Sequence, residues 1–467
     1  MVIVRFAPSP TGYLHIGGLR TALYNYLFAR HNKGKFLLRI EDTDRTRYVE
    51  GAVEELLKIL NWCGLEYDNT PTIQSQRLDI YKKHVNELLE KDFAYRCFCT
   101  PERLEEMRNI QIAKKQPSKY DGTCKKLSKQ ESDKMASEKT FTVRMKMLAE
   151  EISFNDVIRG EVKFHGSLID DQIILKSDGY PTYHLANVVD DHLTGITHVI
   201  RGEEWLSSTP KHIILYKYFN WTHPAFAHLP LLLNPDKSKL SKRQGDVAVE
   251  DYRDKGFLQE ALINYISLLG WSTEDSQQIF SKEELVEKFT LERCGKSGAI
   301  FDLQKLIWMN GEYIRKLSIE ELTRRAIPFI QKSGFDVSDF EFLKKCIALE
   351  QDKIKTLSDV PNLIVFFLKD DIIYDEKAML KVIKKEGVIE ILKNITDIYA
   401  KIQNFTAQEI ENETRKYAES KSLKTSQIFH PVRVAVSGRT EGPSLFHMLE
   451  LLGKEKVLFR LNKIIGE

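Results

Sequence analysis

The segment that most constrains this fold is residues 7–12, A-P-S-P-T-G, which separates two stretches of different pattern. Two prolines and a glycine there prevent either a helix or a central strand from continuing. The apolar residues 2–4 before it are typical of a buried strand, and apolar side chains after it recur at helical spacing from Leu19 to Leu27. A strand, a glycine-containing turn and a helix are how α/β proteins bring backbone N–H groups against a phosphate.

Two interpretations of the start of this helix stay open on local pattern. Gly17 and Gly18 lack Cβ atoms, so a nucleotide could lie directly on their backbone, with His15 positioned to reach its phosphates. The same glycines could equally serve only to form the turn. Neither G-x-x-x-x-G-K-[ST] nor G-x-G-x-x-G occurs in this stretch, so no nucleotide motif decides between the two.

Alternating strand and helix patterns follow over the first 93 residues. The apolar residues 36–40 predict a strand that ends at the polar run 41–44, and helices are predicted around residues 53–60 and 76–91. This βαβα order predicts a parallel sheet, whose ligands bind at the carboxyl ends of the strands. The polar run at 41–44 is suited either to cap a loop or to hold Mg²⁺.

From residue 94 the pattern changes to short strands, a helix capped by Thr100 and a lysine-rich stretch, which predicts an insertion into the sheet. A later helix is predicted to have Thr209 as its N-cap. After residue 317 helical spacing continues with little strand signal, interrupted near Pro328, Pro361 and Pro431. The predicted domains are an α/β domain in two parts (1–93 and 183–230), the insertion (94–182), a region with a basic loop (231–317) and an α-helical region (318–467) divided near residue 376.

Composition excludes several classes of protein. Hydrophobic residues make up 42% and charged residues 29% of the 467, as in ordinary globular chains, and the net charge of +2 neither favours nor excludes a nucleic-acid partner. Six cysteines in a chain of this length do not indicate a secreted disulfide framework. There is no signal-peptide pattern, and no apolar run approaches the ~20 residues of a membrane span. A cytoplasmic location without membrane contact is expected.

A second basic segment changes the interpretation of the first turn. Residues 239–243, K-L-S-K-R, would by themselves be typical of a solvated surface. Together with H-I-G-G at 15–18, however, they resemble the HIGH and KMSKS motifs of class I aminoacyl-tRNA synthetases. The residues around the two motifs resemble those of the bacterial-type glutamyl-tRNA synthetases. They read P-S-P-T-G-Y-L-H-I-G-G at the first motif and N-P-D-K-S-K-L-S-K-R at the second. The resemblance implies a Rossmann-like catalytic domain with an inserted α+β acceptor-binding domain, a stem-contact region and an all-α anticodon-binding region.

The resemblance also implies a reaction: ATP-dependent activation of L-glutamate to glutamyl-adenylate, then transfer to the 3′ end of tRNA(Glu). Attack of a carboxylate on a phosphate needs donors and cations aimed at the phosphate oxygens rather than a covalent nucleophile. The implied catalytic residues are His15, Lys239 and Lys242. Mg²⁺ is expected to arrive with ATP, without protein ligands. Arg5 and Arg201 both end predicted strands, where each could clamp a carboxylate through two hydrogen bonds.

The remaining site residues come from the resemblance alone. Tyr183 and Trp205 as isolated residues are more often core aromatics. The implied glutamate-binding residues are Arg5, Ala7, Ser9, Glu41, Tyr183, Asn187 and Arg201. The implied ATP-binding residues are Thr11, His15, Gly17, Gly18, Glu204, Trp205, Leu231, Leu232, Lys239, Leu240, Ser241 and Lys242.

One motif departs from the family pattern. Many bacterial relatives have a zinc site built from Cys-x-Cys and a later Cys-x-Cys or Cys-x-His. This chain has Cys97, Cys99 and Cys124, but Lys126 stands in the fourth position. A lysine ammonium cannot replace a zinc ligand. The sequence therefore favours reduced thiols over a bound zinc ion.

The same residues bear on several alternatives. A non-catalytic, synthetase-like tRNA-binding or regulatory protein would be expected to have lost His15, Arg5, Arg201 or Lys242, and all are present. Glutaminyl-tRNA synthetases end in β-barrels, which the helical C-terminal pattern does not match. Lys353 falls near a position where strict glutamyl enzymes can use an arginine, which predicts that tRNA(Gln) is also charged. The family is typically monomeric, so a monomer is expected.

Overall fold

The structure is a computed structural model that describes residues 1–240 and 248–466. The chain folds into two compact units. The first comprises Met1–Tyr252 and Leu262–Asp302, and the second comprises Arg253–Ala261 and Leu303–Glu467. This division is coarser than the predicted domain boundaries, which stay predictions.

The strands are short and lie almost entirely in the first unit. In chain order they are β1 (Ile3–Phe6), β2 (Lys35–Ile40), β3 (Thr72–Ile73), β4 (Ala94–Cys97), β5 (Thr142–Met145), β6 (Glu151–Asp156), β7 (Gly160–His165), β8 (Ile173–Leu175), β9 (His198–Gly202), β10 (Ala225–Leu229), β11 (Leu232–Leu233) and β12 (Ala299–Ile300).

Helices occur in both units. The helices up to residue 288 are α1 (Ile16–His31), α2 (Ala52–Trp62), α3 (Leu78–Glu90), α4 (Pro101–Ala113), α5 (Lys129–Glu138), α6 (Tyr183–Leu193), α7 (Thr209–Phe219), α8 (Val249–Asp254), α9 (Gln259–Ser267) and α10 (Lys282–Lys288). Those after it are α11 (Leu303–Lys316), α12 (Ile319–Lys332), α13 (Phe340–Ala348), α14 (Val360–Leu368), α15 (Glu376–Ala378), α16 (Val388–Lys401), α17 (Ala407–Ser420), α18 (Ser426–Ser437), α19 (Leu445–Leu452) and α20 (Lys454–Ile465).

The predicted parallel sheet is confirmed. β1, β2 and β3 are parallel neighbours, and β9, β10 and β6 form a second parallel set. Thr197 joins the two sets, because its N–H donates to the Ile3 carbonyl and its hydroxyl accepts from the Ile3 N–H, each at 2.9 Å. The carboxyl ends of β1, β2 and β9 therefore lie at one edge of the sheet, where α/β proteins bind their ligands.

The insertion is less separate from this sheet than the pattern predicts. β4, β5 and β8 form their own antiparallel sheet, as expected for inserted residues. The β6–β7 hairpin instead extends the parallel sheet, with Asp156 opposite Phe226 on β10. Phe154 on β6 packs with Val199 and Phe226, so burial of one hydrophobic face holds the hairpin against the catalytic sheet.

Three helices differ from the predictions. α7 begins one residue earlier than expected: Ser208 is the N-cap and Thr209 is helical, which leaves the Thr209 hydroxyl to accept a hydrogen bond from Arg201. Pro328 and Pro431 lie inside α12 and α18 and do not end them. Pro361, by contrast, lies in the first turn of α14, at a position where its missing N–H costs nothing.

The second unit is built from helices, as predicted for the C-terminal region. Its core contains buried apolar side chains from α12 to α20, among them Ile330, Phe367 and Leu461. No strand occurs among residues 303–466. Among the helices that the structure describes, none has both the length and the hydropathy to cross a bilayer.

Candidate active site

The turn after β1 lies against the segment that follows β2. Gly12 has φ of 125°, which only glycine adopts without strain. The Glu41 N–H donates to the Pro8 carbonyl at 2.9 Å, and the Val49 N–H donates to the Pro10 carbonyl at 3.0 Å. These bonds bring Glu41 beside the turn that carries Ala7 and Ser9.

His15 is the N-cap of α1. Its Nδ1 accepts from the Gly17 N–H at 2.9 Å. Because a backbone N–H can only donate, Nδ1 carries no proton, and in the neutral ring the proton sits on Nε2. The side chain thus presents an N–H donor at the N-terminus of a helix, a position that favours anions.

The two glycines of this turn have different surroundings. A Cβ on Gly17 would lie 3.2 Å from His15 Nδ1, and a Cβ on Gly18 would lie 2.9 Å from Leu14 Cδ1. Gly18 is therefore required by packing against the protein itself, which is one of the two interpretations that the pattern left open. Leu14 is buried, so it has little room to move away.

The second basic segment is anchored at both ends. At its start, the Leu240 N–H donates to the Leu232 carbonyl at 2.9 Å, and Lys239 is bridged to Leu233. After it, the Val249 N–H donates to the Leu14 carbonyl at 3.0 Å, and Ala248 is bridged to His15. Residues 248 and 249 thus lie beside the start of α1, where the histidine of the first motif stands. Ser241 and Lys242 lie outside the described residues.

A buried ion cluster lies where β1, β2 and α6 meet. Arg5 Nε donates to Asp191 Oδ1 at 2.9 Å, and Arg39 Nη1 donates to the same oxygen at 2.6 Å. Arg39 also donates from Nη2 to Glu41 at 2.9 Å. Asn187 Oδ1 accepts from Arg5 Nη2 at 3.1 Å and from Arg39 Nη2 at 2.9 Å. Since both arginines can only donate, the Asn187 amide group must direct its NH₂ away from them.

Burial and charge act in opposite directions on these carboxylates. Burial favours a higher pKa for Asp191, but the guanidinium groups of Arg5 and Arg39 outweigh it and lower that pKa. At Glu41 burial outweighs the attraction of the neighbouring Arg39, and the pKa is raised. Asp191 Oδ2 is buried without a hydrogen-bond partner among the described residues.

Arg201 at the end of β9 is held on every nitrogen. Nε donates to His228 Nε2 at 3.1 Å, and Nη1 donates to the Tyr183 hydroxyl at 3.0 Å and to His212 Nδ1 at 3.2 Å. Nη2 donates to the Thr209 hydroxyl at 2.9 Å and lies 3.5 Å from the Trp205 carbonyl. The Tyr183 and Trp205 rings pack together, with centroids 4.1 Å apart.

The histidines around Arg201 are neutral. His212 Nδ1 accepts from Arg201, so His212 Nε2–H donates to His184 Nδ1 at 3.1 Å. Burial lowers the pKa of His184 to about 3, and burial together with Arg201 holds the pKa of His212 well below its usual range. The Arg201 cation is therefore surrounded by neutral rings.

The residues predicted to line the ATP side lie beyond β9 and β10. Glu204 is exposed and folds back over Gly202. Its neighbour Glu203 accepts hydrogen bonds from the Leu231 N–H at 2.8 Å and from Arg159, which connects the residues after β9 to those after β10. Leu232 pairs with Ala299 in the β11–β12 ribbon.

Sequence reasoning missed Arg39 and Asp191. A signal for both exists: Arg39 lies two residues before Glu41 at the end of the same strand, and Asp191 lies four residues after Asn187, on the same face of α6. It also missed Asp156, Thr209, His212 and His228, which hold Arg201 and which no local pattern connects to it.

Cys97, Cys99 and Cys124, the three cysteines of the motif that departs from the family pattern, lie close together. Their sulfurs lie within 4.8 Å of one another. Lys126 is exposed, and the Tyr120 hydroxyl instead lies 3.5 Å from Cys97 Sγ and 3.4 Å from Cys99 Sγ. All six cysteines of the chain are free of disulfides.

A parallel sheet with a histidine-capped helix after its first strand and buried arginines at the carboxyl ends of β1, β2 and β9 is the arrangement expected of a class I aminoacyl-tRNA synthetase. The family "tRNA synthetases class I (E and Q), catalytic domain" matches residues 1–308, and "Anticodon binding domain" matches residues 321–465. The chain belongs to the glutamate–tRNA ligase family within this class.

The sequence is similar to that of individual glutamate–tRNA ligases along its full length. The chain is 46% identical to glutamate–tRNA ligase 1 of Caldanaerobacter subterraneus subsp. tengcongensis, over 99% of this chain and 97% of the relative. It is 48% identical to a glutamate–tRNA ligase of Elusimicrobium minutum, over 98% of each. A crystal structure of a glutamate tRNA ligase from Elizabethkingia meningosepticum in complex with its amino acid superposes with a TM-score of 0.92 at 37% identity, over 100% of this chain and 99% of that one. Nothing in these comparisons supports the non-catalytic alternative.

Proposed function

We propose that the protein activates L-glutamate with ATP to glutamyl-adenylate and pyrophosphate, and then transfers the glutamyl group to the terminal ribose of tRNA(Glu). The observation that carries this proposal is the charge of the buried cluster. Among the described residues, Arg5 and Arg39 share the carboxylates of Asp191 and Glu41, whereas Arg201 donates only to uncharged groups. Glutamate brings two carboxylates and glutamine only one, and the site offers a buried guanidinium for each: Arg201 for the α-carboxylate and Arg5 for the side-chain carboxylate.

Each group of glutamate has a candidate partner. The side-chain carboxylate is suited to Arg5, the Asn187 NH₂ and the Tyr183 hydroxyl, whose proton is left to donate because its oxygen accepts from Arg201. The α-carboxylate is suited to Arg201, because its contact with the Trp205 carbonyl is long and easily exchanged. The α-amino group is suited to Glu41, Ser9 and the Ala7 backbone.

The ATP phosphates are proposed to meet the His15 Nε2–H and the N-terminus of α1 on one side. Lys239 and Lys242 would meet them on the other, and Mg²⁺ would arrive with ATP to offset phosphate charge. The supporting observation is that Ala248, six residues after Lys242, is bridged to His15. The further proposed contacts of ATP are Thr11, Gly17, Gly18, Glu204, Trp205, Leu231, Leu232, Leu240 and Ser241.

The tRNA is proposed to bind along the chain in the order that the domain predictions give. The insertion (94–182) would guide the acceptor end, residues 231–317 would contact the stem, and residues 318–467 would bind the anticodon. A match of residues 321–465 to an anticodon-binding domain supports the last assignment. We propose a cytoplasmic monomer as the working form.

We propose relaxed specificity that extends to tRNA(Gln). Lys353 pairs with the buried Glu350 at 2.8 Å beside a cavity of about 310 Å³, also lined by Arg439 and Thr440. A lysine ammonium has no planar fork to reject a base through paired hydrogen bonds. Charging assays with both purified tRNAs test this, and strict rejection of tRNA(Gln) would refute it.

We also propose that Cys97, Cys99, Cys124 and Tyr120 form a structural zinc site. Three sulfurs and one phenolic oxygen make a set of four donors, three of them of the type that structural zinc prefers, with Tyr120 in place of the expected Cys or His. Metal analysis of protein purified without chelators decides between this and the predicted reduced thiols. Tyr120→Phe should lower the zinc content and the Tm, whereas Lys126→Ala should change neither.

The overall reaction is tested by glutamate-dependent exchange of pyrophosphate into ATP, with and without tRNA. Family members usually need tRNA to form the adenylate, so the arm with tRNA decides the outcome. Exchange with glutamate and none with glutamine is the expected result. No exchange in the presence of tRNA would contradict the proposal.

A further inference from the structure

Arg201 is held by a pair of residues outside the proposed substrate contacts. His228 lies on β10 and Asp156 ends β6, and neither side chain is exposed to solvent. His228 Nδ1 lies 2.6 Å from Asp156 Oδ2, and His228 Nε2 accepts from Arg201 Nε at 3.1 Å. The hairpin that carries Asp156 is thereby linked to the arginine at the end of β9.

The direction of these hydrogen bonds follows from elementary chemistry. A guanidinium can only donate, so His228 Nε2 must be the unprotonated nitrogen. The neutral ring then carries its proton on Nδ1, where the Asp156 carboxylate accepts it. The Thr209 hydroxyl also lies 3.2 Å from Nε2; it accepts from Arg201 Nη2, and its own proton can be donated to Nε2 or to the Trp205 carbonyl at 3.2 Å.

The two carboxylate oxygens of Asp156 make separate sets of hydrogen bonds. Its Oδ1 accepts from the N–H groups of Ile158 at 3.0 Å, Arg159 at 2.9 Å and His228 at 3.3 Å, which fixes the turn between β6 and β7. In the part of the chain that the structure describes, its Oδ2 accepts from the His228 ring alone. A change confined to Oδ2 therefore alters the histidine without removing the turn.

We propose that Asp156 and His228 are positioning residues for amino-acid binding: the carboxylate fixes the His228 tautomer, and the ring fixes Arg201 for the substrate's α-carboxylate. The inference rests on the proposed role of Arg201. With the opposite tautomer, His228 Nε2–H would face Arg201 Nε–H, and two buried donors would oppose each other. The guanidinium would then have to turn away from its present orientation.

Asp156→Asn isolates this effect. The amide oxygen can keep the three backbone contacts of Oδ1, while its NH₂ replaces Oδ2 and donates to His228 Nδ1, which forces the proton onto Nε2. We expect the KM for glutamate, measured by pyrophosphate exchange with tRNA present, to rise by about tenfold or more, and the KM for ATP to change by less than about twofold. An equal rise in both KM values would overturn the inference.

His228→Gln supplies the conservative rescue. Its side-chain oxygen can accept from Arg201 Nε without help from a carboxylate, so this variant should bind glutamate nearly as well as the parent. Asp156→Asn should then add less than about a twofold rise in the KM for glutamate in the His228→Gln background. Additive effects of the two changes would mean that Asp156 only supports the turn, and would overturn the proposal.

Two further variants separate the possible failures. Arg201→Lys should itself raise the KM for glutamate; if it does not, the proposed role of Arg201 is wrong. If it does while Asp156→Asn has no effect, only the positioning role is wrong. Asp68→Asn is the control, because the Asp68 carboxylate accepts from Arg30 and from the Phe36 N–H, outside both the groups that hold Arg201 and the proposed acceptor-binding insertion. It should leave the KM for glutamate unchanged.

Discussion

The amino-acid end and the ATP end of the site are built differently. At the amino-acid end, Arg5, Arg39 and Arg201 are at most 5% exposed, and each donates to two or more protein groups. At the proposed ATP end, Thr11, Glu204 and Lys239 are exposed, and none of them lies in an α-helix or in one of the strands β1–β12. A small dicarboxylate is recognised by charges fixed in advance, whereas a triphosphate brings enough charge to be met by exposed donors.

The largest expected effect tests the fixed end. Asp191→Ala leaves Arg5 and Arg39 buried without their shared carboxylate, so we expect a loss of about 3–5 kcal/mol in the free energy of unfolding, together with loss of glutamate binding. Urea denaturation and pyrophosphate exchange measure the two. Asp79→Ala is the control, because Asp79 is fully exposed beside Lys82 and should change stability by less than about 0.5 kcal/mol. Similar small changes in both variants would mean that the cluster is not rigid.

The next effect tests the ATP end. His15→Ala removes both the helix cap and the Nε2–H donor, and we expect adenylate formation to fall by about 10²–10³-fold with tRNA binding nearly intact. His15→Asn is the matched variant, since its side-chain oxygen can still cap Gly17 but no ring donor remains. It should be as inactive as His15→Ala but more stable, by about 1 kcal/mol. Equal loss of tRNA binding would mean that His15 is structural.

Acid pH should lower the free energy of unfolding, because the buried histidines near Arg201 are neutral in the folded protein. His184 has a pKa of about 3 in the folded protein against an ordinary value of 6.5, so below pH 6.5 the unfolded chain takes up a proton that the folded chain does not. Stability is unaffected above pH 6.5 and falls below it, by up to about 1.4 kcal/mol per pH unit for this one histidine. The free energy of unfolding of His184→Asn, measured between about pH 4 and 6.5, should depend less steeply on pH. An unchanged slope would contradict this.

The smallest expected effect comes from two tyrosine variants, one expected to change glutamate binding and the other only the stability of the fold. Tyr183→Phe removes one hydroxyl from the site, and we expect the KM for glutamate to rise by about tenfold. Tyr81→Phe removes a buried hydroxyl that donates to Asp190 at 2.8 Å, outside the proposed binding residues. It should lower stability by about 1 kcal/mol without changing that KM. If both variants raise the KM equally, the tyrosine hydroxyl is only a packing feature.

Much of the fold could be predicted because its signals are local. The turn at residues 7–12, the α1 periodicity and the capping of α4 by Thr100 were each readable from neighbouring residues, and the structure confirms them. The β6–β7 hairpin was assigned to the insertion because its strands are adjacent in sequence to inserted ones. Its pairing with β10 depends on a contact between residues about seventy positions apart, which no local pattern encodes.

The sequence by itself predicted the alternating strands and helices, because prolines, glycines and apolar periodicity act over a few residues, and its resemblance to a known family gave the class of protein and the expected site residues. Only the tertiary structure decided which charges meet. Arg39 and Asp191 are separated by 152 residues and bond because β2 and α6 pack together. His228 and Asp156 reach Arg201 in the same way. Buried charges must find partners wherever the fold places them, so the partners of Arg5 and Arg201 became visible only in three dimensions.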